Sequence, residues 1–222
     1  MKAGTCCAYC REEALTRDHV PPKGMFPEPR PTDLITVPAC STCNGEASRD
    51  DEYFRWFVAT ASAETPAADQ LIQERVLPGF GQRPPLLRQI WEGAFPSVDV
   101  YSKGGVYLRS QPGFWFDRPR IQRTINRIVR GLYYHETSVP LGQTARMREF
   151  LLNPDISEEA QQIVASLPFR VVGGGTFIYR HMLDPQEPLA SLWLMVFFET
   201  TIVLTMTEPP GRTEGTTGGP FK

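Results

Sequence analysis

The chain has 222 residues, 41% of them hydrophobic and 22% charged, with a formal net charge of −2. That is the composition of a globular protein able to bury a real core, as one large or two small domains. It shows no polycationic signature, which argues against a protein that coats DNA by bulk charge, although an enzyme carrying a bound cation needs less basic surface.

In chain order, residues 1–57 form a cysteine-rich unit holding all five cysteines: Cys6, Cys7, Cys10, Cys40 and Cys43. Its middle carries five prolines in the eleven residues 21–31 and reads as loop. Leu34 to Pro38 reads as a short strand. A helix is expected from Asn44, capped near Ser48 or Asp51, with Tyr53, Phe54, Trp56 and Phe57 packing it onto later structure. Residues 58–77 are Ala-rich and read as helix, broken by Gly79 and Pro84-Pro85. Leu86 to Trp91 reads as a second short helix. Residues 97–116 look like two strands around Gly104-Gly105. Residues 118–134 give the clearest amphipathic helix, with Ile121, Ile125, Ile128 and Leu132 on one face and Arg120, Arg123, Arg127 and Arg130 on another. Strands are expected from Phe169 to Met206, and the Pro/Gly/Thr-rich segment 209–222 reads as a disordered tail. The apolar stretch Leu189 to Met206 is interrupted by Glu199 and rich in Thr and β-branched residues, so it reads as two buried strands, not a membrane helix. The N-terminus, Met1 to Thr5, lacks an apolar signal region. A soluble, cytoplasmic protein is expected.

Three short motifs carry the chemistry. Cys7-Ala-Tyr-Cys10 and Cys40-Ser-Thr-Cys43 are CxxC knuckles, and two such knuckles make the tetrahedron that structural zinc prefers. Clustered CxxC pairs without an export signal favour metal over disulfides. Cys6 is left as a bystander because Cys7 has the standard spacing to Cys10. The 29 residues between Cys10 and Cys40 exceed what a simple zinc ribbon needs, and they hold Asp18 and His19. Asn44 follows Cys43 directly. A histidine titrating near neutrality is the natural base at pH 7. A carboxylate and an amide oxygen suit Mg²⁺ or Mn²⁺ better than zinc.

The order CxxC, Asp18-His19-Val20-Pro21, CxxC-Asn44 resembles the HNH endonucleases, the ββα-metal nucleases, in their zinc-stapled branch. The run Ser48 to Phe54 is similar to bacterial chains of that type, and the likeness covers about residues 5–57. The resemblance implies an α+β chain: an N-terminal ββα-metal module with a four-cysteine zinc site in residues 1–57, then a mixed helix and strand region, 58–208, of unnamed role. It implies His19 as the general base, with Asp18 and Asn44 as ligands of the catalytic cation. It implies a metal-dependent endonuclease that hydrolyses phosphodiester bonds in DNA, with RNA and a homodimer left open. Asn44 stands where many members have His, a substitution the family tolerates. Asp33 stands where the family's central Asn braces the loop bearing the His, and Asp cannot donate as an amide does.

Arg17, Lys23 and Arg49 flank the motifs and are candidates for phosphate contacts, as is the stripe Arg120, Arg123, Arg127 and Arg130. The alternative for the stripe is a solvated helix face. Asp50, Asp51 and Glu52 read as favourable negative charge at a helix start, with a further metal ligand as the other reading. His135 and His181 read as structural or surface residues. A rival from another class is a non-catalytic zinc module that binds nucleic acid or protein, which needs the four cysteines but not His19.

Overall fold

The computed structural model describes residues 6–82, 84–102, 104–151, 162 and 165–211, and joins helices to three antiparallel sheets behind an N-terminal cysteine cluster. Strand β1 (Thr16–His19) pairs with β2 (Thr36–Ala39), placing Thr16 opposite Ala39 and His19 opposite Thr36. Helix α1 (Ser41–Glu46) follows β2 at once. Its N-cap is Cys40, earlier than the cap expected near Ser48: the Cys40 sulfur accepts the Cys43 backbone N–H at 3.4 Å.

Helix α2 (Ser48–Ala61) is followed by α3 (Pro66–Leu71), a π-helical turn (Ile72–Val76), α4 (Leu77–Gln82) and α5 (Pro84–Glu92). Helix α4 runs through Gly79, where a break was expected. Glycine costs a helix only about 1 kcal/mol, and the π-turn leading into α4 packs against α2. Helix α4 is described as far as Gln82 and α5 from Pro84.

Strands β3 (Ala94–Tyr101) and β4 (Tyr107–Phe114) form the expected hairpin, with Gly105 in its turn at φ +79°. Helix α6 (Arg118–Thr137) is the predicted amphipathic helix. The Asp117 carboxylate caps it by accepting the Arg120 N–H at 3.2 Å, and Ser138 ends it in the left-handed conformation at φ 59°. Ile121, Ile125, Ile128 and Leu132 are buried, as their spacing requires.

Strands β5 (Arg146–Leu151), β6 (Phe169–Val172), β7 (Phe177–Leu183), β8 (Ser191–Phe197) and β9 (Thr201–Glu208) form an antiparallel sheet in the order β5-β9-β8-β7-β6. The apolar stretch Leu189 to Met206 supplies β8 and β9. No helix among the described residues is long and apolar enough to cross a membrane. The expected tail lies outside the described residues beyond Gly211.

The core does not pause at residue 57. One apolar cluster takes in Cys7 and Val37, Phe54 and Phe57 of α2, the isoleucines of α6, and Phe177, Trp193 and Phe197 of the large sheet. Phe54 meets Phe197 edge to face at 5.4 Å. Helix α2 begins within the cysteine-rich unit and ends beyond it, so its aromatic face joins the two halves.

Gly131 marks where α6 presses on the residue after His19: a Cβ there would lie 2.5 Å from Val20 Cγ2. Ala for Gly inside a helix ordinarily gains up to about 1 kcal/mol. Here overpacking reverses the sign, and Gly131→Ala should destabilise the protein by about 1–3 kcal/mol. Urea unfolding checks this, and an unchanged or raised midpoint would refute the close approach.

Candidate functional site

The sulfurs of Cys7, Cys10, Cys40 and Cys43 all lie within 4.8 Å of one another, close enough to hold a metal ion. Four thiolates about 2.3 Å from a tetrahedral zinc would sit about 3.8 Å apart, and Cys10 Sγ is 3.6 Å from Cys40 Sγ. The donor set and spacing therefore fit structural zinc. Backbone geometry builds the two knuckles: Cys7 N–H donates to Glu12 O at 2.7 Å, Arg11 N–H returns to Cys7 O at 3.1 Å, and Ala8 N–H bonds Pro38 O at 2.9 Å. The Cys43 N–H on its sulfur brings the Cys40 thiol down to about 7, favouring the thiolate a metal needs. Burial pushes the Cys43 thiol up, a cost that a bound cation would offset. Cys6 is not a member of the quartet.

Asp18 and His19 end strand β1, and Asn44 lies on α1, one residue past the knuckle. All three line one cleft of about 400 Å³, together with Arg17, Lys23 and Asp51. The Asn44 amide nitrogen donates to Thr16 Oγ1 at 3.1 Å and to Arg17 O at 3.3 Å, tying α1 to β1. Neither bond uses Asn44 Oδ1. Burial, and next the Lys23 ammonium, lower the His19 pKa below its ordinary value while Asp18 works against them. The imidazole is therefore neutral at neutral pH and able to accept a proton.

Asp18 is 9% exposed and heavily engaged. Its Oδ2 accepts the Tyr9 hydroxyl at 2.5 Å and Arg127 Nη2 at 2.7 Å. Arg127 also reaches Asp51 Oδ2 at 3.5 Å and lies 5.2 Å from the centre of the Tyr9 ring. Burial pushes the Asp51 carboxyl up to about 6, with Arg127 opposing and Asp18 adding to the rise.

The basic candidates part company. Arg17 and Lys23 stand in the cleft, but Arg17 also bonds Thr36 on β2, at 3.0 Å through Nε and 2.7 Å through Nη2. Arg49 lines a separate depression with Gln82, Leu86 and Arg120. The α6 stripe is turned toward the protein's own acids and carbonyls. Arg120 bonds Asp50 Oδ1 at 2.9 Å, Gln89 Oε1 at 2.8 Å and Arg49 O at 2.7 Å. Arg123 bonds Asp50 Oδ2 at 2.6 Å and keeps the most exposed side chain of the ion-paired three. Arg130 donates to Leu141 O at 3.1 Å. Asp33 accepts the Gly173 N–H through both oxygens, at 3.2 and 3.0 Å, so it fastens the proline-rich loop to the turn between β6 and β7.

Sequence reasoning passed over Tyr9, Arg30, Arg55 and Arg75, the last three of which also line the cleft. Arg55 stands four residues after Asp51 on α2, a spacing that puts both on one helix face. Nothing local marks Arg30 or Arg75, which meet through Glu28 at 3.1 and 2.5 Å. His181 stacks on Trp193 at 5.0 Å, 3.8 Å from Glu136, and His135 is an exposed residue in the last turn of α6.

No family model, no curated protein and no solved structure matches the chain.

The cysteine geometry makes a separable prediction. The purified protein should bind one Co²⁺ per chain with thiolate-to-metal charge-transfer absorption, and Cys40→Ser should lose it. Cys6→Ser should leave the spectrum unchanged; a loss in that variant would place Cys6 among the ligands.

Proposed function

We propose that the protein is a metal-dependent endonuclease of the HNH type, hydrolysing phosphodiester bonds in DNA. The observation that supports this best is the shared cleft: Asp18, His19 and Asn44, which the motif picks out, line one depression beside the cysteine quartet. Five basic side chains border it: Arg17, Lys23, Arg30, Arg55 and Arg75. Cations there suit a polyanionic substrate.

In this reading zinc is structural, and its knuckle fixes the start of α1. Asp18 Oδ1 and Asn44 Oδ1 are hard oxygen donors outside the hydrogen bonds described above, and they fit Mg²⁺ or Mn²⁺. When bound, such a cation supplies charge stabilisation at the scissile phosphate and the leaving oxygen. His19 takes a proton from water as the water oxygen bonds to phosphorus. The bond from phosphorus to the 3′ oxygen breaks, and that oxygen is protonated from solvent. Lys23, in the 3₁₀ turn Lys23–Met25, stands where it can pair with a phosphate flanking the break.

One observation favours the non-catalytic zinc module instead: Asp18 Oδ2 already holds two strong donors, as in a structural ion pair. A single experiment separates the readings. Supercoiled plasmid is incubated with zinc-loaded protein and Mg²⁺ or Mn²⁺, beside an EDTA control. Metal-dependent nicking or linearisation is expected, with His19→Ala slower by about 10²–10⁴-fold. A folded, zinc-loaded protein that cleaves neither plasmid, branched DNA nor RNA would sink the nuclease reading in favour of the binding module.

A further inference from the structure

We propose that Arg127, on α6, is a positioning residue for the nuclease site, acting with Tyr9 to aim Asp18 at the cation. The inference rests on the nuclease reading and adds a component that the motif does not contain. Arg127 lies 109 residues beyond Asp18 in the chain and its guanidinium reaches back to the carboxylate.

The geometry is specific. Both donors, Tyr9 hydroxyl and Arg127 Nη2, fall on the same oxygen, Oδ2. A carboxylate held through one oxygen by two donors keeps a fixed plane, and its other oxygen is the one left for a metal. The same guanidinium faces Asp51, which lines the cleft as well. One cation therefore sits between two carboxylates 33 residues apart in sequence, each on a different element. The surroundings hold the clamp in place: Arg127 packs over the Tyr9 ring, and the Tyr9 backbone carbonyl accepts the Gln143 side-chain amide.

Charge sets the sign of the effect. Removing Arg127 takes from Asp18 and Asp51 the one guanidinium that pairs with both. A divalent cation no longer meets the positive charge of that guanidinium, so it should bind more tightly, but to a carboxylate no longer held in its plane. The prediction is tighter metal with slower turnover, a combination that simple loss of stability does not produce.

The test uses full-length, zinc-loaded protein and Mn²⁺, with binding followed by electron paramagnetic resonance and cleavage followed on plasmid. Asp18→Asn identifies the site. Arg127→Met should bind Mn²⁺ about tenfold more tightly, and its maximal cleavage rate should fall by about 100-fold. Arg127→Lys, which keeps the charge but not the planar fork, should restore the Mn²⁺ affinity while leaving turnover low. Tyr9→Phe should slow turnover with little change in affinity. Circular dichroism and zinc content confirm folding for each variant; if Arg127→Met does not fold, Arg127→Lys and Tyr9→Phe decide. Folded variants with wild-type affinity and turnover, or an Arg127→Met protein that binds Mn²⁺ more weakly, would overturn the role of Arg127 while leaving the nuclease intact. A wild-type protein with no Asp18-dependent Mn²⁺ binding would overturn the nuclease reading and this inference together.

Discussion

A carboxylate taken out of water must be met by a cation or by hydrogen bonds, and Asp18 is met by both. The arrangement of the chain follows from that requirement. Desolvation of an unpaired charge is prohibitive, so the Asp18 carboxylate can be buried near the end of β1 only if a guanidinium arrives from elsewhere. It comes from the middle of α6, which explains why that helix lies across the cysteine-rich unit and not out in solvent. Packing then reinforces the choice: Gly131 lets α6 come down on Val20, one residue past His19. Electrostatics fixes the partner and close packing fixes the distance.

The remaining arginines of α6 extend the same seam. Arg120 and Arg123 converge on Asp50 from one side, while Arg127 serves Asp18 and Asp51 further along. Exposed pairs of this kind contribute little each. Here only Arg123 is well exposed, and the pairs to Asp50 and Asp51 join α6 to α2, so they act as a register device between those two helices. What looks like a basic stripe ready for a polyanion is mostly engaged internally. The cations that border the cleft come instead from β1, the proline-rich segment, α2 and the π-helical turn.

This division explains what the sequence made legible. Local features were readable: the two CxxC knuckles and the isoleucine stripe of α6 declare themselves by spacings of a few residues, and Asp18, His19 and Asn44, picked out by their motif, line one cleft. The strands β8 and β9 were readable because a continuous apolar run with Thr and β-branched residues is a buried-strand signal. Long-range pairing was not. Nothing near Arg127 says that its acid lies 109 residues upstream, and nothing near Asp33 says that its donor is Gly173. Sequence periodicity tells which face of a helix is charged but not what that face meets. The helix through Gly79 was missed for the same reason, since contact with α2 outweighs a small local penalty.

The bond from Asp33 to Gly173 spans 140 positions, and it has a bearing on biosynthesis. A ribosome delivers the cysteine knuckles and the Asp-His pair before α6 and the large sheet, so the cysteine-rich unit can begin to order ahead of them. Its rear wall and the strap over its proline-rich loop are translated much later. A chain stalled or cut before the large sheet is made carries every motif residue yet lacks the groups that hold them in register.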